Sequence, residues 1–175
     1  MVLRGIHVHP VKSLGGCAVA EAEVDALGLV GDRRFLVVDP EGRFLTQRTL
    51  PRMALIATRL DAATLTLTAA GAGSVEVPRA PDPAAPLVAV TVWKSEGLLA
   101  EDCGSAAAAW LGRLLGAPCR LVRIGPAFRR PVRRGPASNS WPSAVIAVSR
   151  CRRPSGTRSG VVSVPCSTGG GVRWT

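Results

Sequence analysis

With 175 residues and 47% apolar side chains, the chain suffices for one compact domain with its own core. Its net charge of +10 is unevenly placed: residues 1–120 hold all 12 acids and 12 Lys and Arg, whereas residues 121–175 hold ten Arg, no Lys and no acid. Five cysteines without CxxC spacing argue against a disulfide framework or a zinc site, and neither a leader-like start nor an apolar run of about 18 residues is present, so the expected setting is soluble, reducing and cytoplasmic, with no membrane span.

In chain order, short β-branched runs separated by Gly, Pro and Asp dominate the first 100 residues or so. Strands are expected at Val2–Val8 and Ala18–Val24, the second alternating Ala and Val with Glu21 and Glu23. Arg34–Asp39 and Arg43–Gln47 read as a hairpin, because Pro40-Glu41-Gly42 supplies a fixed φ followed by a residue free to take φ > 0. Further strands are expected at Ala54–Leu60, Leu65–Thr68, Ser74–Val77 and Leu87–Trp93. Four prolines among the nine residues 78–86 make that stretch a loop.

The period then changes. Across Asp102–Leu115, Ala107, Trp110, Leu111, Leu114 and Leu115 fall on one helical face, with Asp102 or Ser105 as N-cap and Gly116 and Pro118 as stop signals. Cys119–Ile124 alternates again and suits a returning strand. Beyond residue 130 the pattern dissolves into Arg, Ser, Gly and Pro, leaving Ala144–Val148 and Val161–Val164 as apolar islands. The expected architecture is a β-rich α+β domain over residues 1–130, a distorted barrel with one packed amphipathic helix, followed by a poorly ordered tail over 131–175. An out-of-frame reading of a GC-rich coding sequence is one explanation for a tail of that composition.

Three clusters offer chemistry. In Pro10-Val11-Lys12-Ser13-Leu14-Gly15-Gly16, Lys12 brings a point charge, Ser13 a hydroxyl, and the glycines room for backbone N–H groups to approach a phosphate. Taken alone the loop reads as a solvated turn, since GxxxxGK[ST] is absent. In Gly31-Asp32-Arg33-Arg34-Phe35, Arg33 or Arg34 presents a guanidinium fork that Asp32 can fix, although adjacent arginines on a strand also read as one salt-bridged and one in water. Thr46-Gln47-Arg48 is a third polar cluster that a barrel would bring near the others; alone it reads as a capped strand end. His7 and His9 would share a strand face without a third ligand, which suits packing rather than metal binding. No catalytic constellation and no metal ligand set is legible.

These pieces occur in a recognisable order. Val8-His9-Pro10-Val11-Lys12-Ser13, Ala20-Glu21-Ala22-Glu23-Val24, Gly28-Leu29, Gly31-Asp32-Arg33-Arg34-Phe35, Asp39-Pro40-Glu41-Gly42, Leu45-Thr46-Gln47-Arg48 and Pro51-Arg52, then Asp102-Cys103-Gly104 with Trp110 and Arg120-Leu121-Val122, resemble the N-terminal β-barrel of the MOSC and amidoxime-reducing-component family. The resemblance spans roughly residues 1–130. It implies the molybdenum cofactor, a metal held by the dithiolene of a phosphorylated pterin (molybdopterin), with Lys12, Ser13 and Arg33 as the contacting residues. It also implies a C-terminal MOSC domain that supplies a cysteine ligand to the metal, an electron-donor protein, and either two-electron reduction of N-oxygenated substrates or cofactor sulfuration.

The resemblance fades near Pro126–Pro131, so Cys151 and Cys166 are not assigned as the ligand, and Cys17 and Cys103 are expected to be buried structural thiols. The expected function is therefore the cofactor-contacting module of a truncated or mis-framed MOSC-type protein, inactive alone. The alternative is a stand-alone binding module whose basic tail engages nucleic acid or another polyanion; a folded barrel with no ligand of its own is a third reading.

Overall fold

A computed structural model of the chain describes residues 5–25, 27–129 and 160–163. Among the described residues, twelve strands form four small sheets that together make a curled, half-closed barrel, with one 3-10 helix and one α-helix beside them.

The central sheet has the order β5-β11-β10-β9, built from Phe35–Val38, Arg120–Arg123, Ser95–Asp102 and Leu87–Val92, all antiparallel to their neighbours. Strand β5, Phe-Leu-Val-Val, is buried along its whole length because both of its faces are covered, which is why it reads as a continuous apolar run. Phe35 and Val37 face a core shared with the helix, where Leu121, Trp110, Leu111, Met53, Ile56, Leu65 and Leu67 meet. Leu36 and Val38 face a second core with Val90, Val92, Leu98, Ala100, Val122, Ile124 and Phe128.

A meander of β6 (Ala57–Leu60), β7 (Thr64–Ala69) and β8 (Gly73–Pro78) covers the first core. Helix α1, Ser105–Leu115, lies against it with Ala107, Trp110, Leu111 and Leu115 buried, and Trp110 Nε1 donates to the Ala72 carbonyl at 2.8 Å. The expected helical face is observed, with Leu114 at its margin. The N-cap differs from expectation: it is Gly104, whose N–H donates to Asp102 Oδ1 at 2.8 Å, because Asp102 still belongs to β10. Gly116 closes the helix in the left-handed conformation, φ 71°.

Other boundaries also differ. The single strand expected at Ala18–Val24 breaks at Ala20 into β2 (Cys17–Val19), paired with β1 (Ile6–Val8), and β3 (Glu21–Asp25), paired with β4 (Gly28–Leu29). The start of the strand expected from Ala54 is taken by a 3-10 turn, Pro51–Leu55, since Pro51 at its first positions presets the helical φ. Of the expected hairpin, the outward arm is β5, but the return arm is reduced to a bridge of Phe44 to Val38 and one of Arg43 to Thr91 on β9. Gly42 explains the departure: at φ 78° it turns the chain, and a Cβ there would lie 2.2 Å from the Ala89 carbonyl oxygen, so the loop passes directly against β9.

Strand β10 has no counterpart in the sequence reading. Its register with β9 shifts between Ser95 and Leu98, so the alternation starts only after the irregularity at Gly97. Glu101 on β10 is buried opposite Arg123 on β11, and its Oε2 accepts from Arg123 Nη2 at 2.8 Å and Nε at 3.1 Å. The same oxygen takes the Asp82 N–H at 3.0 Å, while Arg123 Nη1 donates to the Pro78 carbonyl at 2.8 Å. One ion pair thus anchors the start and the middle of the proline-rich loop.

Of the tail expected over 131–175, only Gly160–Ser163 are among the described residues; their backbone forms β12, antiparallel to β3, and the island Ala144–Val148 lies outside. No helix among the described residues is long and apolar enough to cross a membrane.

Candidate functional site

The Lys12 loop is fixed from both sides. Val11 bridges Phe35 in parallel, with Lys12 N–H donating to the Phe35 carbonyl and Phe35 N–H to the Pro10 carbonyl, each at 3.0 Å. Leu14 N–H then closes a four-residue turn on the Val11 carbonyl at 3.3 Å, placing Lys12 and Ser13 at its corners. The turn puts Ser13 at φ 67°, a position that ordinarily favours glycine.

The glycines that follow serve packing. Gly15 donates its N–H to the Ile56 carbonyl at 2.9 Å, and Thr58 Oγ1 donates to the Gly15 carbonyl at 2.7 Å. A Cβ on Gly16 would meet the His9 ring at 2.6 Å. The Gly15 N–H expected to approach a phosphate is therefore already used within the fold. His9 lies beyond the end of β1, so it does not share a strand face with the exposed His7, and its Nδ1 is 3.5 Å from the Leu14 carbonyl beneath the loop.

Asp32 ties the second cluster to the first. Its Oδ1 accepts the His9 N–H at 2.8 Å and its Oδ2 accepts from Arg33 Nη1, while Arg33 N–H donates to the His9 carbonyl at 2.7 Å. Arg34 is paired too: its Nη2 donates to Asp25 Oδ1 at 2.9 Å and Oδ2 at 3.0 Å. Neither arginine stands in water, against the plain reading of adjacent arginines; Arg33 and Arg34 side chains are 19% and 15% exposed. Asp32 fixes Arg33 as expected, and Arg34 is held separately.

The charges converge on Lys12. Burial, then the positive charges of Arg33 and Arg48, push the Lys12 ammonium below its ordinary pKa. Of the Thr46-Gln47-Arg48 cluster, Arg48 is thus within electrostatic reach of Lys12. Lys12 Nζ lies 4.8 Å from the Phe44 ring centroid and 5.4 Å from that of Trp93, and the two rings are 5.1 Å apart and inclined by 50°.

Sequence pattern alone does not mark Phe44 or Trp93 as site residues. Trp93 reads there as the end of a strand, whereas it occupies the β9–β10 turn at φ 58° and is 54% exposed. A signal was present, since the chain has only three Phe and four Trp, and one falls in a turn next to Lys94. Among the described residues, the non-glycine residues at positive φ are Ser13, Arg33 (φ 49°) and Trp93, all three in this site. Such conformations cost about 1–3 kcal/mol each and concentrate where structure serves a ligand.

The arrangement suits an anion with an acceptor-rich flat body. The Lys12 ammonium feels the charges of Arg33 and Arg48, and Asp32 is bonded to Arg33, so an arriving phosphate would relieve repulsion at Lys12 rather than create it. Among the described residues no three His, Cys, Asp or Glu side chains converge to hold a metal ion. Cys103 and Cys119 belong to or border the first core, Cys17 is half-buried with its thiol 3.7 Å from the Val8 carbonyl, and Cys151 and Cys166 lie outside the described residues.

The MOSC N-terminal beta barrel domain family matches residues 1–118. Mouse mitochondrial amidoxime-reducing component 1 is 38% identical over 127 residues, covering 70% of this chain and 37% of its own length. Its human counterpart is 39% identical over 130 residues, with the same coverage of 70% and 37%. Zebrafish molybdenum cofactor sulfurase is 34% identical over 137 residues, 76% of this chain and 16% of its own. This chain therefore spans little more than a third of the reductase components and about a sixth of the sulfurase. With the matched region covering most of the described fold and the Lys12, Asp32-Arg33 and Arg48 clusters, the chain belongs to the MOSC N-terminal beta barrel domain family.

Proposed function

We propose that the chain is the molybdenum-cofactor-contacting module of a MOSC-type protein, in which Lys12, Ser13 and Arg33 hold the phosphorylated pterin. The observation that carries this reading is the joining of the Lys12 turn to the Asp32-Arg33 segment, through Arg33 N–H on the His9 carbonyl at 2.7 Å and Lys12 N–H on the Phe35 carbonyl at 3.0 Å, with the Lys12 charge disfavoured by burial and then by Arg33 and Arg48. That is the electrostatic state of a site awaiting an anion. Lys12 supplies a charge steadied by two rings, Ser13 a hydroxyl donor, and Arg33 a fork whose orientation Asp32 fixes. When bound, the molybdenum centre supplies the two-electron chemistry of the family, reduction of N-oxygenated substrates, or takes part in cofactor sulfuration. The chain's own residues bind and orient; none of the described side chains forms a metal ligand set.

The reading makes the chain inactive alone and dependent on a separately supplied C-terminal MOSC domain, with an electron-donor protein in the complete system. The test is co-expression with such a domain in a molybdopterin-producing host, followed by release and fluorescence quantification of bound pterin. Wild type retains pterin, and Lys12→Ala and Arg33→Ala each lower retention about tenfold or more. Stoichiometric molybdenum and N-hydroxylated-substrate turnover by the chain alone would overturn the inactivity; unchanged retention in both variants would overturn the site. The free thiols Cys17, Cys103 and Cys119 fit a reducing compartment such as the cytoplasm, which cell fractionation checks.

The seven arginines of the acid-free stretch 131–175 favour one second reading, polyanion binding by the tail. Deleting residues 131–175 separates the two, since nucleic-acid affinity that survives the deletion does not come from the tail.

A further inference from the structure

We infer that Trp93, backed by Phe44, is the stacking surface for the flat heterocycle of a phosphate-bearing ligand whose phosphate is taken by Lys12. This rests on the reading of the Lys12 turn as an anion site and extends it to the part of the ligand that carries no charge.

Trp93, at the tip of the β9–β10 hairpin, is 54% exposed and so presents a large flat surface to a ligand. It is nonetheless held firmly. Thr91 N–H donates to the Gly42 carbonyl at 2.8 Å and Phe44 N–H to the Thr91 carbonyl at 3.4 Å, which ties the strand before Trp93 to the segment carrying Phe44. The two rings meet at 5.1 Å, and Trp93 sits at φ 58°, a conformation that a turn would ordinarily give to Gly or Asn. The turn therefore tolerates strain to keep an indole at this spot rather than a small residue.

Position supplies the function. Lys12 Nζ lies 5.4 Å from the Trp93 centroid, so a phosphate paired with Lys12 arrives beside an indole that is half open. A fused heterocycle attached to that phosphate has the open indole surface within reach, and stacking needs no hydrogen-bond match. The division of labour is then clear: the cations read the phosphate, and Trp93 reads the presence of a planar ring.

The test uses the full chain and two available probes. Guanosine 5′-monophosphate carries a phosphate and a fused ring with the 2-amino-4-oxo pyrimidine pattern, and inorganic pyrophosphate carries the charge alone. Binding is followed by calorimetry and by the ring-current shift of the guanine H8 proton. Wild type is expected to bind both and to move H8 upfield. Trp93→Ala is expected to weaken the nucleotide about tenfold and abolish the shift, with pyrophosphate affinity within twofold of wild type. Trp93→Phe restores both, and Lys12→Ala weakens both probes. If Trp93→Ala leaves the nucleotide within twofold of wild type, or weakens both probes alike, the stacking inference is wrong. Pyrophosphate binding without any nucleotide H8 shift also overturns it while leaving the anion site standing. Binding of neither probe by wild type overturns the anion site and this inference with it.

Discussion

Replacing Glu101 with leucine leaves a buried cation without its counter-charge. The Arg123 and Glu101 side chains are 4% and 3% exposed, so water does not reach either to compensate. The substitution removes the acceptor for Arg123 Nη2 and Nε and for the Asp82 N–H, leaving the guanidinium only the Pro78 carbonyl at 2.8 Å among the described residues. Breaking one side of such a pair costs about 3–5 kcal/mol. That is a large share of the 5–15 kcal/mol or so that stabilises a domain. The corresponding fall in melting temperature is on the order of 10–20 °C. Urea unfolding followed by far-UV circular dichroism measures the free-energy loss, and a thermal scan the fall in Tm. The double variant Glu101→Leu with Arg123→Met replaces both charges by apolar groups and should recover most of the loss. A single variant within about 1 kcal/mol of wild type refutes the reasoning. A double variant as unstable as the single one shows instead that the anchoring of Asp82 and Pro78, not the stranded charge, dominates.

Three further outcomes are expected. The chain has two lysines, so reductive methylation with a carbon-13 label gives an assignable spectrum in which the Lys12 signal titrates below its ordinary 10.5. Because its pKa is lowered on folding, the unfolded chain binds more protons between the folded pKa and 10.5, and this group makes stability rise with pH across that window; pyrophosphate should raise the midpoint, and a Lys12 signal at or above 10.5 contradicts the crowding of cations. Gly42→Ala should cost about 2 kcal/mol or more in urea unfolding, since φ is 78° and the new Cβ would lie 2.2 Å from the Ala89 oxygen. Burial pushes the Cys103 thiol up to about 12 and the Cys119 thiol up to about 11, so both should resist iodoacetamide at pH 8 until urea is added, as read by mass spectrometry.

What the sequence made legible follows from where the physics is local. The helix face at Ala107, Trp110 and Leu111 and the meander strands around Leu65 and Val77 are set by periodicity and turn residues within a few positions. Strand β10 was hidden because its irregularity at Gly97 breaks the alternation, and because a buried glutamate reads as surface until its partner Arg123, 22 positions away, is brought opposite. The hairpin return departs from expectation for a similar reason: Gly42 answers to the Ala89 carbonyl on a distant strand. In the site, Lys12, Ser13, Asp32 and Arg33 were marked by residue type and order. Phe44 and Trp93 were not, since their relevance is the distance of each ring from one ammonium nitrogen.

The aromatic seat of Lys12 also bears on how quickly and selectively a ligand is held. A free lysine side chain gives up as much as about 2 kcal/mol of rotamer freedom when an anion immobilises it. Here the ammonium already rests 4.8 Å from Phe44 and 5.4 Å from Trp93, so that ordering is completed during folding. An incoming phosphate meets a charge that is fixed in place before the encounter. Preorganisation of this kind shows itself as affinity without added contact area. It also makes the two rings, which bear no charge, part of what an anion experiences as the strength of the lysine.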